Sequence, residues 1–190
     1  MNRAIIVHCW EGYPKYCWYP QTKKELEELG FDVEVPEMPE TDSPKFDRWL
    51  SNLIEVVGEP DDELYLIGHS LGCITIMRYL ETLKDDQKIA GAVFVAGFTD
   101  YLGFDEIKTF FAQPIDFDKI KTKANSFSFI HSDNDPYVDL KYGHELQGQL
   151  GGNLIIKEKM GHFSGEIENE ESCAKLPEIV EEIEKMMQNK

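Results

Sequence analysis

The sequence predicts an α/β fold in which a parallel sheet carries helices on both faces. Six short apolar runs with strand character alternate with segments whose apolar residues recur at helical spacing. Strands and helices in alternation form right-handed βαβ units, and such units build a parallel sheet. The chain has 190 residues and 42% hydrophobic content, which is enough for a substantial core in one α/β domain spanning residues 1–190.

The predicted elements follow from the places where the two patterns change. Strands are predicted at residues 4–7, 31–35, 63–67, 89–95, 127–131 and 154–157. Helices are predicted at residues 22–29, 44–57, 71–83, 140–150 and 176–187. The aromatic-rich stretch 97–121 is predicted to hold one or two short helices. Gly30 and Gly58 follow the first two helices, where glycine commonly ends a helix.

Two helices carry more detailed predictions. Ser43 is predicted to cap the second helix, with Pro44 at its first position. In the last helix, Glu181 and Lys185 are predicted to pair on the solvent side. Its apolar stripe is predicted to consist of Leu176, Ile179, Val180, Ile183 and Met187. Glutamates near the C-terminus are expected to form a solvated helix face and the loop before it: Glu166, Glu168, Glu170, Glu171, Glu178, Glu181, Glu182 and Glu184.

Charge and composition limit the partners and the compartment. The net charge is 19 − 36 = −17, and polyanions such as nucleic acids and anionic membrane surfaces repel such a chain. No run of eighteen apolar residues is present, and the N-terminal stretch is too short and too strand-like for a signal peptide. We therefore expect a cytoplasmic protein with no nucleic-acid or membrane partner. The oligomeric state stays open, with a monomer among the alternatives.

The cysteines indicate neither a metal site nor a disulfide framework. Cys9, Cys17, Cys73 and Cys173 form no Cys-x-x-Cys pair and have no zinc-ligand spacing. Free thiols in a reducing compartment are the simplest interpretation, and a Cys9–Cys17 disulfide is the alternative. No pattern in the sequence requires a metal ion or an organic cofactor, so none is expected.

The stretch Gly68-His69-Ser70-Leu71-Gly72 contains the candidate nucleophile. It lies between a predicted strand and a predicted helix, which is the context that a nucleophile elbow requires. The residues two positions before and after the serine, Gly68 and Gly72, must be glycine, because a Cβ would clash with neighbouring backbone in so tight a turn. Ser70 is therefore predicted to stand above the sheet, at a helix N-terminus that favours negative charge.

The partners of this serine are predicted from chain order and sheet position. Asp135 follows the fifth predicted strand and His162 follows the sixth, both at the carboxyl edge of the sheet. His162 can take the Ser70 proton, and Asp135 can orient the imidazole. Asp133 is the nearest alternative for the acid. The other histidines, His8, His69, His131 and His144, are predicted to be structural.

An oxyanion formed at Ser70 needs two backbone donors. The first is predicted to be the N–H of Leu71, the residue after the nucleophile. The second is expected from the loop after the first strand, where Trp10 is the candidate. This loop reads His8-Cys9 where many hydrolases have His-Gly, which leaves the second donor less well defined.

These residues together resemble the α/β-hydrolase superfamily. More closely, the chain resembles the small serine hydrolases typified by retinoblastoma-binding protein nine. The likeness rests on Trp18-Tyr19, Met38-Pro39, Gly68-His69-Ser70, Met77-Arg78-Tyr79, Phe111-Ala112-Gln113-Pro114, Asp135-Pro136 and Gly161-His162-Phe163. It implies the triad Ser70, Asp135 and His162, and about six parallel strands in the order 2-1-3-4-5-6 without a large cap. The Leu-x-Cys-x-Glu motif associated with retinoblastoma binding is absent, so that partner is not carried over.

The leading hypothesis is a carboxylesterase-like hydrolase that cleaves small esters through an acyl-enzyme on Ser70. The aromatic loop 10–19 and the segment 98–117 are expected to wall an apolar pocket, although each aromatic residue singly fits the core equally well. Amides, aminoacyl peptides and thioesters pass through the same tetrahedral intermediate, so an amidase, aminopeptidase or thioesterase is the first alternative. A non-catalytic interaction module on a hydrolase fold is the second.

Overall fold

The structure is a computed structural model and describes residues 1–164 and 173–188. Within these residues, a six-stranded sheet has the order β2-β1-β3-β4-β5-β6, and every neighbouring pair is parallel. The strands are β1 (Arg3–Val7), β2 (Asp32–Glu34), β3 (Leu64–His69), β4 (Gly91–Val95), β5 (Phe127–Ser132) and β6 (Asn153–Lys157). The predicted fold class and strand order are confirmed.

Helices alternate with the strands along the chain, and the last helix follows β6. They are α1 (Tyr19–Glu28), α2 (Phe46–Val57), α3 (Leu71–Thr82), α4 (Phe117–Thr122), α5 (Lys141–Leu150) and α6 (Glu178–Gln188). Between β4 and β5 the chain forms only a 3₁₀ helix, Asp105–Phe111, and the short α4, as predicted for that stretch. The first helix begins three residues earlier than predicted, because Pro20 fits its first turn.

Two apolar clusters cover the two faces of the sheet. One contains buried residues of α2, α3 and α5 packed on side chains such as Leu66 and Phe94. The other contains buried residues of α1 and α6 packed on side chains such as Ile67 and Val95. Successive residues of a strand point to opposite faces, which explains why neighbours such as Leu66 and Ile67 belong to different clusters.

The start of α2 differs from its prediction. The helix begins at Phe46 with Lys45 as its N-cap, and Ser43 does not cap it. Ser43 instead ends a turn, because its N–H donates to the Glu40 carbonyl at 3.0 Å. The neighbouring Thr41 carbonyl accepts the N–H of Glu11 at 3.0 Å. This turn therefore braces the loop after β1, and that tertiary contact delays the helix.

The last helix is anchored by the carboxylate of Glu182, which was predicted to face solvent but is buried. Glu182 is buried, and its Oε2 accepts hydrogen bonds from Ser128 Oγ at 2.6 Å and Asn153 Nδ2 at 3.1 Å. Lys185 pairs with Glu182 at 2.7 Å, in place of the predicted pair with Glu181. The helix is therefore turned so that Met186 is buried and Met187, predicted to face the sheet, is exposed. Glu182 thereby ties α6 to the first residues of β5 and β6.

The remaining C-terminal glutamates fall into two groups. Glu181 and Glu184 are exposed, and Glu178 is half-buried in a pair with Lys157. The others lie outside the described residues: Glu166, Glu168, Glu170 and Glu171. No helix in residues 1–164 or 173–188 has the length and apolar composition needed to cross a membrane.

We expect Glu182→Gln to lower the free energy of unfolding at pH 7 by about 1–3 kcal/mol, because three donors lose an ionised acceptor. Burial alone raises the pKa of Glu182, but hydrogen bonds from Lys185, Ser128 and Asn153 outweigh it and lower the pKa below its ordinary 4.5. The stabilisation is therefore present above that ordinary value and is lost as the pH falls through the folded-state pKa.

Urea unfolding of both proteins between pH 7 and pH 3 measures this difference. The difference in free energy of unfolding between wild-type protein and Glu182→Gln should decrease as the pH falls below about 4.5. The control is Glu181→Gln, one residue earlier and exposed, which should change stability by less than about 0.5 kcal/mol. A difference in free energy of unfolding that stays constant down to pH 3 would contradict the role of the ionised carboxylate.

Candidate active site

Ser70 lies in the tight turn between β3 and α3. Its backbone has φ +53° and ψ −115°, a left-handed conformation that non-glycine residues rarely adopt. Such a conformation costs roughly 1–3 kcal/mol and persists only where the surrounding structure enforces it. Part of that enforcement is visible, because the Ser70 N–H donates to the Val95 carbonyl at 2.8 Å and ties the turn to β4.

The two glycines of the motif are required by contacts between backbones. A Cβ on Gly72 would lie 2.1 Å from the carbonyl oxygen of Val7, at the end of β1. A Cβ on Gly68 would lie 2.8 Å from the Cα and N of Cys73, in the first turn of α3. Both approaches are closer than a side-chain carbon tolerates, so any other residue would force the strand and the helix apart.

Ser70, His162 and Asp135 are in direct hydrogen-bond contact. His162 Nε2 lies 2.8 Å from Ser70 Oγ, and His162 Nδ1 lies 2.8 Å from Asp135 Oδ2. A carboxylate can only accept, so Nδ1 carries the proton and donates to Asp135, which leaves Nε2 to accept the proton of Ser70. The Asp135 side chain is only 2% exposed, so the pair is shielded from water.

Asp135 is itself held in place by the turn that follows it. Its Oδ1 accepts the N–H groups of Tyr137 at 2.9 Å and Val138 at 3.0 Å, which leaves Oδ2 free for the imidazole. Asp133, the alternative acid, is exposed and accepts the N–H of Lys159 at 2.8 Å. The structure therefore brings Asp135, and not Asp133, to the imidazole.

The loops after β5 and β6 are joined by short polar side chains whose roles the sequence analysis missed. Ser132 Oγ accepts the N–H of Met160 at 2.9 Å, and Asn134 Oδ1 accepts the N–H of Gly161 at 2.9 Å. The run of Ser, Asp and Asn at a strand end is the available signal, because these side chains commonly bond to nearby backbone groups. They hold the backbone that leads into His162.

The remaining histidines do not contact Ser70 Oγ through their rings. His8 donates from Nδ1 to the Cys9 carbonyl at 2.8 Å and accepts the Met38 N–H at Nε2. His69 is buried between Tyr19 and the backbone of His162. Burial lowers the pKa of His8, and burial lowers the pKa of His131 to about 4. His144 is exposed on α5.

The two residues whose amides are predicted to bind an oxyanion, Leu71 and Trp10, line the same cavity as Ser70. The N–H groups of Leu71 and Trp10 have no hydrogen-bond partner among the described residues. The peptide before Trp10 is held from its other side, because the Cys9 carbonyl accepts bonds from His8 Nδ1 and from the N–H of Gly12. In a trans peptide the carbonyl and the following N–H point in opposite directions, so this anchoring fixes the direction of the Trp10 N–H.

The cavity beside Ser70 has a volume of about 230 Å³ and mostly apolar walls. Its apolar lining is Trp10, Leu71, Phe98, Leu102, Phe104, Ile107 and Val138. Glu11 contributes a carboxylate, and none of the described lining residues is Lys or Arg. The predicted aromatic walls are thus divided: Trp10, Tyr16 and Phe104 reach the cavity, whereas Trp18 and Phe110 are buried in the core.

Neither a disulfide nor a cluster of candidate metal ligands is found among the described residues. None of the four cysteines forms a disulfide, so the alternative of a Cys9–Cys17 bridge is not realised in the structure. Across the described parts of the chain, no three or more His, Cys, Asp or Glu side chains are grouped so that they could hold a metal ion.

Comparison with known proteins identifies the family. A sequence profile of the family described as serine hydrolase matches residues 4–184. The chain belongs to the serine hydrolase family. This membership confirms the resemblance to small serine hydrolases that the sequence motifs indicated.

Relatives of this serine hydrolase share most of its length. YdeN of Bacillus subtilis strain 168 is 30% identical over 163 residues, which cover 85% of this chain and 86% of YdeN. Serine hydrolase RBBP9 of Rattus norvegicus is 29% identical over 149 residues, covering 77% of each chain. The crystal structure of YdeN superposes with a TM-score of 0.91 and 26% identity, covering 99% of this chain and 100% of YdeN.

More distant relatives share the fold alone. Est1E of Butyrivibrio proteoclasticus, solved with bound ferulic acid, superposes with a TM-score of 0.76 and covers 100% of this chain and 89% of its own. Its 16% identity is too low for its ligand to inform this site.

Alanine substitutions test whether the close approach at Gly72 is essential. We expect Gly72→Ala to cost at least about 3 kcal/mol of stability, because the new Cβ would overlap a carbonyl that cannot move without disturbing β1. Gly148→Ala is the control, since Gly148 is exposed in α5 with no atom within 4 Å of the added Cβ. It should stabilise the helix by about 0.5–1 kcal/mol. Urea unfolding measures both, and wild-type stability in Gly72→Ala would contradict the packing argument.

Proposed function

We propose that this serine hydrolase cleaves small carboxylic esters through an acyl-enzyme on Ser70. The observation that carries the proposal is the pair of 2.8 Å contacts from the His162 ring to Ser70 Oγ and to Asp135 Oδ2. A serine hydroxyl is a weak nucleophile until a neighbouring base takes its proton. The proposed roles are nucleophile for Ser70, general base and acid for His162, and orienting carboxylate for Asp135.

The reaction proceeds in two matched halves. Ser70 Oγ attacks the ester carbonyl carbon while His162 Nε2 takes the hydroxyl proton, and the carbonyl π electrons move onto oxygen. Collapse of this intermediate breaks the bond to the alcohol, which leaves with the proton from His162. Water then attacks the acyl-enzyme with His162 again as the base, and the carboxylic acid is released as Ser70 regains its proton.

The oxyanion of each intermediate is proposed to accept the N–H groups of Leu71 and Trp10. Three facts support this assignment: both residues line the cavity, both amides lack an internal partner in the described structure, and the peptide before Trp10 is anchored at its carbonyl. Preorganised donors of this kind stabilise developing charge without reorganising during the reaction.

The cavity supports a small, uncharged acyl group as the substrate class. Pockets for drug-sized ligands range from roughly 300 to 1,000 Å³, and this one is smaller, at about 230 Å³. Its apolar walls favour short aliphatic or single-ring acyl groups. Glu11 at the cavity and a net charge of −17 disfavour anionic esters, because no Lys or Arg among the described lining residues would offset the repulsion.

A fluorophosphonate probe with esters of graded acyl length tests the proposal. We expect labelling at Ser70, hydrolysis that falls as the acyl chain outgrows the cavity, and loss of at least about 10³-fold in kcat for Ser70→Ala. Folded wild-type protein that is never labelled would favour a non-catalytic interaction module. Wild-type rates in Ser70→Ala would contradict the mechanism.

The bond that is cleaved needs a separate comparison. An ester, a thioester and an aminoacyl amide that share one acyl group present the same pocket contacts and differ only in the leaving group. We expect the ester to have the highest kcat/KM. Faster cleavage of the amide or the thioester would change the assignment to an amidase, aminopeptidase or thioesterase on the same three residues.

Two matched substitutions distinguish the carboxylates. Asp135→Asn should lower kcat by roughly 10²–10⁴-fold, because the imidazole loses the charge that orients it and stabilises its protonated form. Asp133→Asn should lower kcat by less than about tenfold, since it weakens one hydrogen bond to the Lys159 N–H. Steady-state kinetics on one ester measure both variants, and equal losses would contradict the assignment of Asp135.

A further inference from the structure

A buried chain of hydrogen bonds links the loop after β1, the end of β3 and the loop after β6. It begins at the N–H of Cys9, after β1, which lies 3.1 Å from the Tyr19 hydroxyl. That hydroxyl lies 2.7 Å from His69 Nδ1. His69 Nε2 in turn lies 2.8 Å from the backbone carbonyl oxygen of His162. Tyr19 and His69 are both 0% exposed, so water does not compete for these bonds.

The direction of every bond in this chain is determined by its ends. The carbonyl of His162 can only accept, so His69 Nε2 must carry the proton and donate. His69 Nδ1 is then an acceptor, and the Tyr19 hydroxyl donates a hydrogen bond to it. The hydroxyl oxygen accepts the N–H of Cys9. One tautomer of His69 therefore satisfies all partners, and the opposite tautomer would set two acceptors against each other at 2.8 Å.

The imidazole of His69 stays neutral near pH 7. Burial, and next the nearby His162, lower the pKa of His69 to about 3. A neutral ring keeps one donor and one acceptor, which is the pattern that the chain of bonds requires. His69 therefore acts through its hydrogen bonds and adds no charge beside the imidazole of His162.

The backbone at His162 needs such support. Its neighbours Gly161 and Phe163 both have left-handed backbones, with φ +52° and +54°, and for Phe163 that conformation is strained. On one side, Asn134 holds the N–H of Gly161. On the other side, His69 holds the carbonyl of His162. A displacement of about 1 Å in a reacting group can cost roughly 10²-fold in rate, so this carbonyl contact bears directly on the Ser70 contact.

We propose that His69 is a positioning residue for His162, held by Tyr19 in the tautomer that donates to the His162 carbonyl. The proposal rests on the proposed function, because it assigns His69 to the placement of the general base. It goes beyond the three acting residues: the residue immediately before the nucleophile also fixes the base, and Tyr19 connects that contact to the loop that presents the Trp10 amide.

The tautomer can be observed without any activity. Long-range ¹⁵N–¹H correlation spectra of wild-type protein with labelled histidine should show His69 protonated at Nε2 and unprotonated at Nδ1. Tyr19→Phe removes the donor to Nδ1 and should shift the Nδ1 resonance away from its hydrogen-bonded position, while Nε2 stays protonated because the His162 carbonyl can only accept. A wild-type His69 that is protonated at Nδ1 would overturn the proposal.

Kinetics on one small ester test the consequence for the base. His69→Leu should lower kcat and the rate of fluorophosphonate labelling by about 10–100-fold, with KM changed by less than about threefold, because the cavity walls are untouched. His69→Gln places an amide N–H near the position of Nε2 and should recover most of the lost rate. Tyr19→Phe should lower kcat by about 2–10-fold, as expected for one lost hydrogen bond.

A second buried histidine provides the control. His131→Leu removes a ring at the end of β5 that is 1% exposed and whose nitrogens have no hydrogen-bond partner among the described residues. It should keep kcat within about twofold. Comparing the free energies of unfolding of His131→Leu and His69→Leu shows whether a lower kcat in His69→Leu reflects lost core packing or a displaced His162 imidazole.

The outcomes distinguish the two proposals. If wild-type protein is not labelled at Ser70, the proposed function fails, and the role of His69 fails with it. If wild-type is labelled while folded His69→Leu keeps its kcat, only the positioning role is overturned. If His69→Leu does not fold, Tyr19→Phe decides: wild-type kcat in Tyr19→Phe, together with an unchanged Nδ1 resonance of His69, overturns the proposal.

Discussion

The close approach of α3 to the end of β1 is the constraint on which the site depends. With only hydrogen on the Cα of Gly72, the helix can start beside the Val7 carbonyl. That contact keeps the turn between β3 and α3 short and holds Ser70 at a positive φ. It also brings the loop after β1 next to the start of the helix, so Trp10 and Leu71 line one cavity. Nucleophile and candidate oxyanion donors are thus positioned by one backbone contact.

The second requirement is that loops from distant parts of the chain keep a fixed relation to this turn. Parallel strands place their carboxyl ends at one edge of the sheet, but loops at such an edge are free to take many conformations. Here side chains bond to the backbone of neighbouring loops: Ser132 and Asn134 hold the segment before His162, and His69 holds its carbonyl. Each bond gives a backbone group of these loops a hydrogen-bond partner inside the protein.

Buried polar groups serve the same purpose at the opposite end of the sheet. Glu182 binds Ser128 and Asn153, near the start of β5 and β6, and so sets the rotation of α6 about its axis. A buried carboxylate is costly without donors, and here three donors surround it. The pattern of apolar residues predicted Met187 on the buried stripe, whereas the structure buries Met186 and exposes Met187. The polar contact decided which methionine is buried.

Much of the fold followed from local regularities. Apolar runs, helical spacing and glycines such as Gly30 and Gly58 identified six strands and the helices between them, because these depend on neighbours along the chain. The order of the sheet came from the family resemblance, and the comparisons confirmed it. The prediction that Ser43 caps α2 was wrong. The turn before this helix is held by a hydrogen bond from the Glu11 N–H to the Thr41 carbonyl, a contact between residues far apart along the chain.

The sequence by itself determined the fold class, the strained turn around Ser70 and the short set of residues able to act with it. It favoured Asp135 but kept Asp133 as an alternative, because both are carboxylates in one loop and differ only in what each faces across space. Only the tertiary structure set Asp135 against the His162 ring and Asp133 against the Lys159 amide. It alone gave His69 its place, since a histidine beside a nucleophile has no distinctive pattern until Tyr19 and the His162 carbonyl are seen at its two nitrogens. The physical reason is that hydrogen-bond partners are set by direction and distance in the folded chain, which spacing along the sequence does not encode.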